Sequence, residues 1–65
     1  MTDLLLKWAV RDERDIRLIY LDDEGKITVR KVRILHLTDY DLLAWCRERR
    51  ACRRFLRSGI LAAEA

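Results

Sequence analysis

Residues 15–37 constrain the fold of this chain more than any other segment does. Residues 15–21 are rich in β-branched and aromatic side chains, and residues 26–37 favour the same extended conformation. Between them lies the acidic turn Asp22–Gly25, in which Gly25 is free to adopt a positive φ. A strand, a short glycine-containing turn and a second strand predict an antiparallel hairpin.

The apolar positions of this hairpin predict which side of each strand faces the core. In the first strand three residues share one side: Ile16, Leu18 and Tyr20. In the second strand the alternation changes, because Ile27 and Val29 are odd-numbered whereas Val32 and Ile34 are even-numbered. We therefore expect a bulge or a sharp bend near Arg30–Lys31, a device by which small barrels close.

The segment before the hairpin is predicted to be a helix, over residues 2–14. Its apolar face contains four residues: Leu4, Leu5, Trp8 and Ala9. The run of charges at residues 11–15 then faces solvent.

Residues 39–57 fit two structures. Six residues recur at roughly helical spacing: Leu42, Trp45, Cys46, Arg49, Cys52 and Leu56. Because no Gly or Pro interrupts this stretch, a helix that begins after Asp39 fits the periodicity. A second hairpin fits too, with strands near 41–47 and 51–57 that turn at Glu48–Arg50. The pattern alone leaves both open.

Charge is distributed unevenly. Residues 1–29 contain five Lys or Arg and seven Asp or Glu, whereas residues 30–65 contain nine and four. Most of the excess is a cluster of six arginines: Arg47, Arg49, Arg50, Arg53, Arg54 and Arg57. Such a cluster indicates a polyanionic partner, nucleic acid first and acidic protein second, although a solvated basic face without a partner has the same composition.

Several blocks of residues resemble the WYL domain, a compact SH3/Sm-like β-barrel found mainly in bacterial transcriptional regulators. They are Ile16…Tyr20, Asp23…Gly25, Arg30…Val32, Leu42-Leu-Ala-Trp-Cys46, Arg53…Phe55 and Ile60. The resemblance covers residues 15–60. It implies a mainly β fold, a small SH3/Sm-like barrel over residues 15–57 after the N-terminal helix, within one domain of residues 1–65. It also implies that residues 39–57 are a hairpin.

This sequence departs from the family pattern at three places. The Trp-Tyr-Leu triplet that names the family falls on Tyr40-Asp41-Leu42, so that only the leucine is kept. The proline of the family falls on Ile34, and its second arginine falls on Gly59. WYL domains usually follow a helix-turn-helix module and are thought to sense single-stranded DNA or nucleotides. This chain has no room for that module, so the resemblance implies a WYL-type domain by itself.

A hairpin that turns at Glu48–Arg50 would pair Arg47 with Ala51, Cys46 with Cys52 and Trp45 with Arg53. One face would then interleave arginines with Trp45 and Phe55, the composition that binds single-stranded nucleic acid. The alternative is that both aromatic rings pack beneath the helix. Seven residues are the predicted binding site: Arg30, Tyr40, Trp45, Arg47, Arg53, Arg54 and Arg57.

We expect a non-enzymatic binding module. The sequence contains no phosphate-binding glycine loop and no nucleophile elbow, and it predicts no cofactor or metal. The first hypothesis is a regulatory module that binds single-stranded nucleic acid or a nucleotide-like anion; the alternative is an oligomerisation module whose arginines meet an acidic protein. Because so short a chain has a thin stability margin, we expect homo-oligomers or docking on a regulator protein. The absence of a signal peptide or an apolar span predicts a cytoplasmic protein without membrane contact.

Overall fold

One curved antiparallel sheet and one helix make up the fold in the computed structural model, which describes residues 2–65; Met1, included in the predicted domain, lies outside them. The elements are α1 (Thr2–Arg11), β1 (Asp15–Leu21), β2 (Ile27–Leu37), β3 (Asp41–Cys46), β4 (Ala51–Leu56), a 3₁₀ turn (Arg57–Gly59) and β5 (Ile60–Glu64). The order of the strands in the sheet is β4-β3-β2-β1-β5. The prediction of a mainly β fold with an N-terminal helix is confirmed, but the strands continue to Glu64, beyond the predicted limit at residue 57.

The helix ends three residues earlier than predicted. Glu13 adopts a left-handed conformation, with φ of 52°. Its N–H donates to the carbonyl of Val10 at 3.3 Å, and the N–H of Arg14 donates to the carbonyl of Ala9 at 3.0 Å. These two bonds form a Schellman motif, which satisfies the last carbonyl groups of the helix and turns the chain into β1.

The buried stripe of α1 differs from the predicted face. Leu6 and Ala9 are fully buried, and α1 contacts β2 and β5. Leu5 and Trp8 are half-buried, but Leu4 is 65% exposed, so its assignment to the apolar face was wrong. The sheet determines which side of the helix is buried, because the helix packs against the sheet through the side that contains Leu6.

The first hairpin has the predicted strands and turn. Its register runs without interruption from Asp15↔Arg33 to Leu21↔Ile27. Gly25 has φ of 81°, and the Oδ1 atom of Asp22 accepts hydrogen bonds from two backbone N–H groups of the turn. A bend near Arg30–Lys31 is therefore not what changes the alternation in β2.

The alternation in β2 changes because the strand extends beyond the core. Ile27 and Val29 lie on the outer face, where they are 64% and 53% exposed, whereas Val32 and Ile34 lie on the inner face and are buried. The irregularity of this strand is a register shift against β3 between Ile34 and His36. The bulge thus occurs at Leu35, several residues after the predicted bend.

Residues 41–56 form the second hairpin, as the family resemblance implied, but its register is one residue away from the predicted one. Trp45 pairs with Cys52, Ala44 with Arg53 and Leu42 with Phe55. The reason is that the turn contains four residues, 47–50, and not three; Arg50 has φ of 53° and its N–H donates to the carbonyl of Cys46 at 2.8 Å. Because of this shift, the two faces of β4 are exchanged relative to the prediction, and Arg53 and Phe55 lie on the inner face.

The core lies on the inner face of the sheet beneath α1. It contains ten residues: Leu6, Ala9, Ile16, Leu18, Val32, Ile34, Leu42, Ala44, Cys46 and Phe55. β3 contributes Leu42, Ala44 and Cys46 to it, all three fully buried. Each large side chain buried here contributes about 1.5–3 kcal/mol to the free energy of folding. Among the residues described, no helix combines the length and the apolarity needed to cross a bilayer.

Candidate anion-binding cleft

The sheet curls so far that β1 meets β4, although β2 and β3 lie between them in the sheet. The ring centroids of Tyr20 and Phe55 are 5.1 Å apart in an edge-to-face arrangement. The Tyr20 hydroxyl also accepts a hydrogen bond from the N–H of Leu56 at 3.1 Å. This curvature places the inner faces of β2 and β4 on two sides of one cleft.

We call this the Arg30–Arg53 cleft. Its volume is about 140 Å³. It is lined by Tyr20, Asp22, Asp23, Thr28, Arg30, Arg53, Arg54 and Phe55. The inner face of β2 explains why the cleft is polar: Val32 and Ile34 are in the core, whereas Thr28 and Arg30 continue the same side of the strand toward the turn.

Arg30 and Arg53 reach the cleft from different strands, and within residues 2–65 neither forms an ion pair with a carboxylate. The Nε atom of Arg30 donates to the Thr28 hydroxyl at 3.4 Å, which is a long hydrogen bond. The guanidinium carbon of Arg53 lies 6.0 Å from the centre of the Phe55 ring. Since both guanidiniums retain N–H donors, the cleft has the chemistry to bind one phosphate or carboxylate through several charge-assisted hydrogen bonds.

The opposite end of the cleft is acidic. Asp22 already accepts hydrogen bonds from the N–H groups of Glu24 and Lys26, both at 2.9 Å, so its carboxylate holds the turn. Asp23 is exposed beside it. An anion is therefore directed to the arginine side of the cleft, away from the turn.

Three of the seven predicted site residues border this cleft, namely Arg30, Arg53 and Arg54. Arg54 differs from the other two because its Nε atom is bonded to the Asp41 carboxylate. Tyr20 and Thr28 were absent from the predicted site, but the sequence carried a signal for them. A hairpin that turns at residues 22–26 pairs Tyr20 with Thr28 and Leu18 with Arg30, which puts Tyr20, Thr28 and Arg30 on the core side.

Two of the other predicted arginines are held in ion pairs elsewhere. Arg47 donates to both oxygens of Asp15, at 3.0 and 3.2 Å, and the same carboxylate accepts from Arg33 at 3.2 Å. Arg57 is bonded to the Asp3 carboxylate and donates to the carbonyl of Thr38 at 2.8 Å. These contacts join β1 to the turn between β3 and β4, and the 3₁₀ turn to α1, so both arginines stabilise the fold.

The two remaining predicted residues lie away from the cleft. Trp45 is half-buried on the outer face, paired with Cys52 on one side and Arg33 on the other, and Tyr40 is 80% exposed in the loop before β3. The predicted contact between Trp45 and Arg53 was wrong, since the one-residue shift puts them on opposite faces. The same shift separates Cys46, which is buried, from Cys52, which is exposed, and both are free thiols.

Two aspartates outside the cleft have lowered pKa values. Hydrogen bonds from Arg47, and then from Arg33, lower the pKa of Asp15 although burial acts in the opposite direction. A hydrogen bond from the Thr38 hydroxyl, and then one from Arg54, lowers the pKa of Asp41. Both carboxylates are therefore held in the charged form by the partners that orient them.

Comparison with known proteins identifies a shared fold. No family model matches the sequence, and no curated protein matches it. Among solved structures, the chain is similar to the proteasome accessory factor B/C (PafBC) of Arthrobacter aurescens, with a TM-score of 0.82 and 24% sequence identity. The similarity covers 95% of this chain and 10% of PafBC, so the chain spans about a tenth of the length of that protein. At this level of identity the likeness shows the fold of the helix and the sheet.

Proposed function

We propose that this chain is a WYL-like regulatory module that binds a nucleotide-like anion, or a phosphate of single-stranded nucleic acid, in the Arg30–Arg53 cleft. The observation that carries the proposal is the convergence of two arginines, from β2 and β4, that have no carboxylate partner among residues 2–65, beside the Tyr20–Phe55 aromatic pair. Planar guanidiniums bind phosphate oxygens in pairs.

The size of the cleft specifies how such a ligand binds. A volume of about 140 Å³ is smaller than the roughly 300–1,000 Å³ of clefts that enclose a whole small-molecule ligand. This space accommodates a phosphate group while the rest of the ligand stays outside. The function is binding without catalysis, and a phosphate is the part of the ligand that the cleft recognises.

The regulatory part of the proposal is supported by similarity. Over 95% of its length this chain has the fold of a part of PafBC, and the WYL domains that its residues resemble are found mainly in bacterial transcriptional regulators. The residues that resemble the WYL pattern include Arg30, Arg53 and Phe55 of the cleft. The chain would then serve as the ligand-binding part of a regulator, alone or docked on a regulator protein.

The test is fluorescence anisotropy with a labelled dT12 strand, and with dTMP as a competitor, at 20 and 200 mM NaCl. Arg53→Ala removes a cleft arginine, and Arg49→Ala is the matched control because it removes the same charge from the exposed turn. We expect the affinity for dTMP to fall about tenfold in Arg53→Ala, which corresponds to about 1.4 kcal/mol, and less than twofold in Arg49→Ala.

Two results would contradict the proposal. The first is an absence of binding at 20 mM NaCl, where phosphate contacts are strongest. The second is an equal loss in Arg53→Ala and Arg49→Ala, because the net charge alone would then explain the binding.

Self-assembly is a second candidate function, and an exposed apolar patch favours it. Leu21, Ile27 and Val29 are 40%, 64% and 53% exposed and adjoin one another at one end of the outer face. β4 and β5 are the edge strands of the sheet. We propose that a homo-oligomer covers this patch. Light scattering on wild type and Ile27→Lys tests this: the wild type is expected to have the mass of an oligomer and the variant that of a monomer.

A further inference from the structure

A second basic surface lies on the outer face, at the end of β1 and β2 that is remote from the Arg30–Arg53 cleft. It borders a groove of about 440 Å³ between the connection from α1 to β1 and the strands β1 and β2. Four basic residues line the groove: Arg14, Arg17, Lys31 and Arg33. Glu13 and Asp15 line it as well, so the net charge of these six residues is positive.

Two of these basic residues face each other across neighbouring strands. Arg17 on β1 pairs directly with Lys31 on β2. Like charges in that position destabilise a sheet. Glu64 compensates in part, through an exposed ion pair with Arg17 at 3.6 Å, but in the described part of the chain Lys31 has no carboxylate partner. An anion bound over this pair would remove the repulsion.

An aromatic ring continues the surface. Trp45 on β3 is the cross-strand neighbour of Arg33, and it is half-buried on the same outer face. Lys31 and Arg33 are two residues apart on one strand, so their Cα atoms are separated by about 6.7 Å. Arg33 donates to Asp15 through Nε at 3.2 Å and keeps its Nη atoms, so each of the two side chains can contact a different phosphate. Basic groups beside an exposed ring form the usual platform for single-stranded nucleic acid, which an acidic peptide does not require.

We propose that this outer surface, composed of Arg17, Lys31, Arg33 and Trp45, is a second binding site that holds the backbone of single-stranded nucleic acid. It shares with the proposed function only the class of ligand, because none of its residues lines the Arg30–Arg53 cleft. The cleft holds one phosphate, whereas the outer surface contacts successive phosphates and one stacked base. Mononucleotides and oligonucleotides should therefore respond to different substitutions.

The experiment compares Lys31→Gln with Lys7→Gln, a matched loss of one exposed lysine on α1. Anisotropy of labelled dT12 is measured from 20 to 200 mM NaCl, and dTMP binding is measured by calorimetry. We expect Lys31→Gln to weaken dT12 binding about three- to tenfold and to reduce the slope of log K against log [NaCl] by about 0.7. Lys7→Gln should change neither quantity by more than twofold, and dTMP binding should stay at the wild-type value in both variants.

Stacking on Trp45 gives an independent measurement. Trp8→Phe leaves Trp45 as the one tryptophan of the chain. We expect dT12 to quench its fluorescence and dTMP to leave it unchanged. Equal effects of Lys31→Gln and Lys7→Gln, or an absence of quenching by dT12, would overturn the outer site.

The two sites can fail separately. If Arg53→Ala abolishes the binding of both ligands while Lys31→Gln has no effect, the cleft is supported as the binding site and the outer site is contradicted. If Lys31→Gln weakens dT12 binding and Arg53→Ala leaves dTMP binding unchanged, the outer site is supported and the proposed cleft site is contradicted. Displacement of dT12 by poly-glutamate as effective as that by unlabelled dT12 would overturn the assignment to nucleic acid, because the surface would then recognise charge alone.

Discussion

Arg47 and Arg53 belong to one basic segment, only six residues apart, yet the fold places them in opposite environments. Arg47 donates two hydrogen bonds to Asp15 and joins the turn after β3 to β1. Arg53 lies over the ring of Phe55 in the cleft and keeps its polar groups free of carboxylates within the described chain. Because a bound anion needs donors that are not already used, the second environment is the one suited to ligand binding.

The difference between the two arginines originates in the turn between β3 and β4. A four-residue turn with Arg50 at positive φ makes Arg53 the partner of Ala44, on the inner face. A three-residue turn would have put Arg53 beside Trp45 on the outer face. Composition therefore identifies a basic segment, but the register divides it into ion-paired and free arginines.

The strongest test of this division is the double variant Arg30→Ala/Arg53→Ala against the double variant Arg47→Ala/Arg57→Ala. Both remove two positive charges. We expect the first pair to weaken dTMP binding at least thirtyfold, or about 2 kcal/mol, with little change in melting temperature. The second pair should bind dTMP within about threefold of wild type but melt at a lower temperature. Equal loss of binding in the two variants would abolish the distinction between free and ion-paired arginines.

Gly59→Ala tests how closely the backbone at residue 59 packs against Tyr20, one of the residues that line the cleft. A Cβ atom at residue 59 would lie 2.8 Å from a ring carbon of Tyr20 and 2.9 Å from the carbonyl oxygen of Leu21. We expect a loss of about 1–3 kcal/mol in the free energy of unfolding, since a rigid ring and a backbone atom must both move. Urea denaturation measures it, with Ser58→Ala as the control at an exposed neighbour. An unchanged stability would mean that the ring shifts without cost.

Arg57→Ala isolates the contribution of one ion-paired arginine to stability. Its side chain is 18% exposed, and it contacts both Asp3 and the carbonyl of Thr38. Loss of these hydrogen bonds should reduce the free energy of unfolding by about 1–2 kcal/mol. Arg49→Ala is the matched control, and the same urea titration is expected to place it within about 0.5 kcal/mol of wild type.

Arg50→Gly tests the turn that produces the register. A non-glycine residue at φ of 53° is strained, and glycine adopts this conformation without a Cβ penalty. We expect a gain of up to about 1 kcal/mol in the free energy of unfolding, whereas Arg49→Gly should give no gain. If Arg50→Gly instead lowers the free energy of unfolding, the Arg50 side chain stabilises the fold by more than its left-handed backbone conformation destabilises it.

Asp15→Asn should have the smallest effect, and the effect should depend on pH. The pKa of Asp15 is lowered in the folded state, so its charged form contributes stability above the unfolded pKa of about 3.9, and that contribution is lost as pH falls through the folded pKa. We expect the variant to be less stable than wild type by under about 1 kcal/mol at pH 7 and equal to it at the acid limit. Thermal unfolding from pH 2.5 to 7 measures the difference in stability between the variant and wild type, with Asp39→Asn as the control. A difference that persists at pH 2.5 would contradict the view that the charge of Asp15 is its cause.

How much of the molecule could be predicted differs between the two hairpins. Local chemistry specifies the first: Asp22 and Gly25 define its turn, and the predicted strand β1 matches the observed bounds. The turn of the second contains Arg47, Glu48, Arg49 and Arg50, none of which marks a turn. Its existence followed from the family resemblance, and its register was missed by one residue.

The binding site, like the second hairpin, could be predicted only in part, because it also depends on contacts between distant residues. Arg30 could be placed on the core side from the register of the first hairpin, and Arg53 could be named as a candidate from its charge. That these two meet required the curvature of the sheet, which brings Tyr20 of β1 against Phe55 of β4. Contacts between strands so far apart in the chain depend on the twist and the bulge of the whole sheet, which no local pattern contains.

The sequence by itself determined the elements that depend on neighbouring residues: the helix, the first hairpin and a basic second half. Backbone propensity, side-chain alternation and turn chemistry all act over a few residues, so they can be read locally. The tertiary structure alone decided which arginines of residues 47–57 are ion-paired, because their carboxylate partners lie in other elements: Asp15 for Arg47, Asp41 for Arg54 and Asp3 for Arg57. Those pairings form only when the folded sheet brings the partners together, and two arginines that have no carboxylate partner within residues 2–65, Arg30 and Arg53, meet in the cleft.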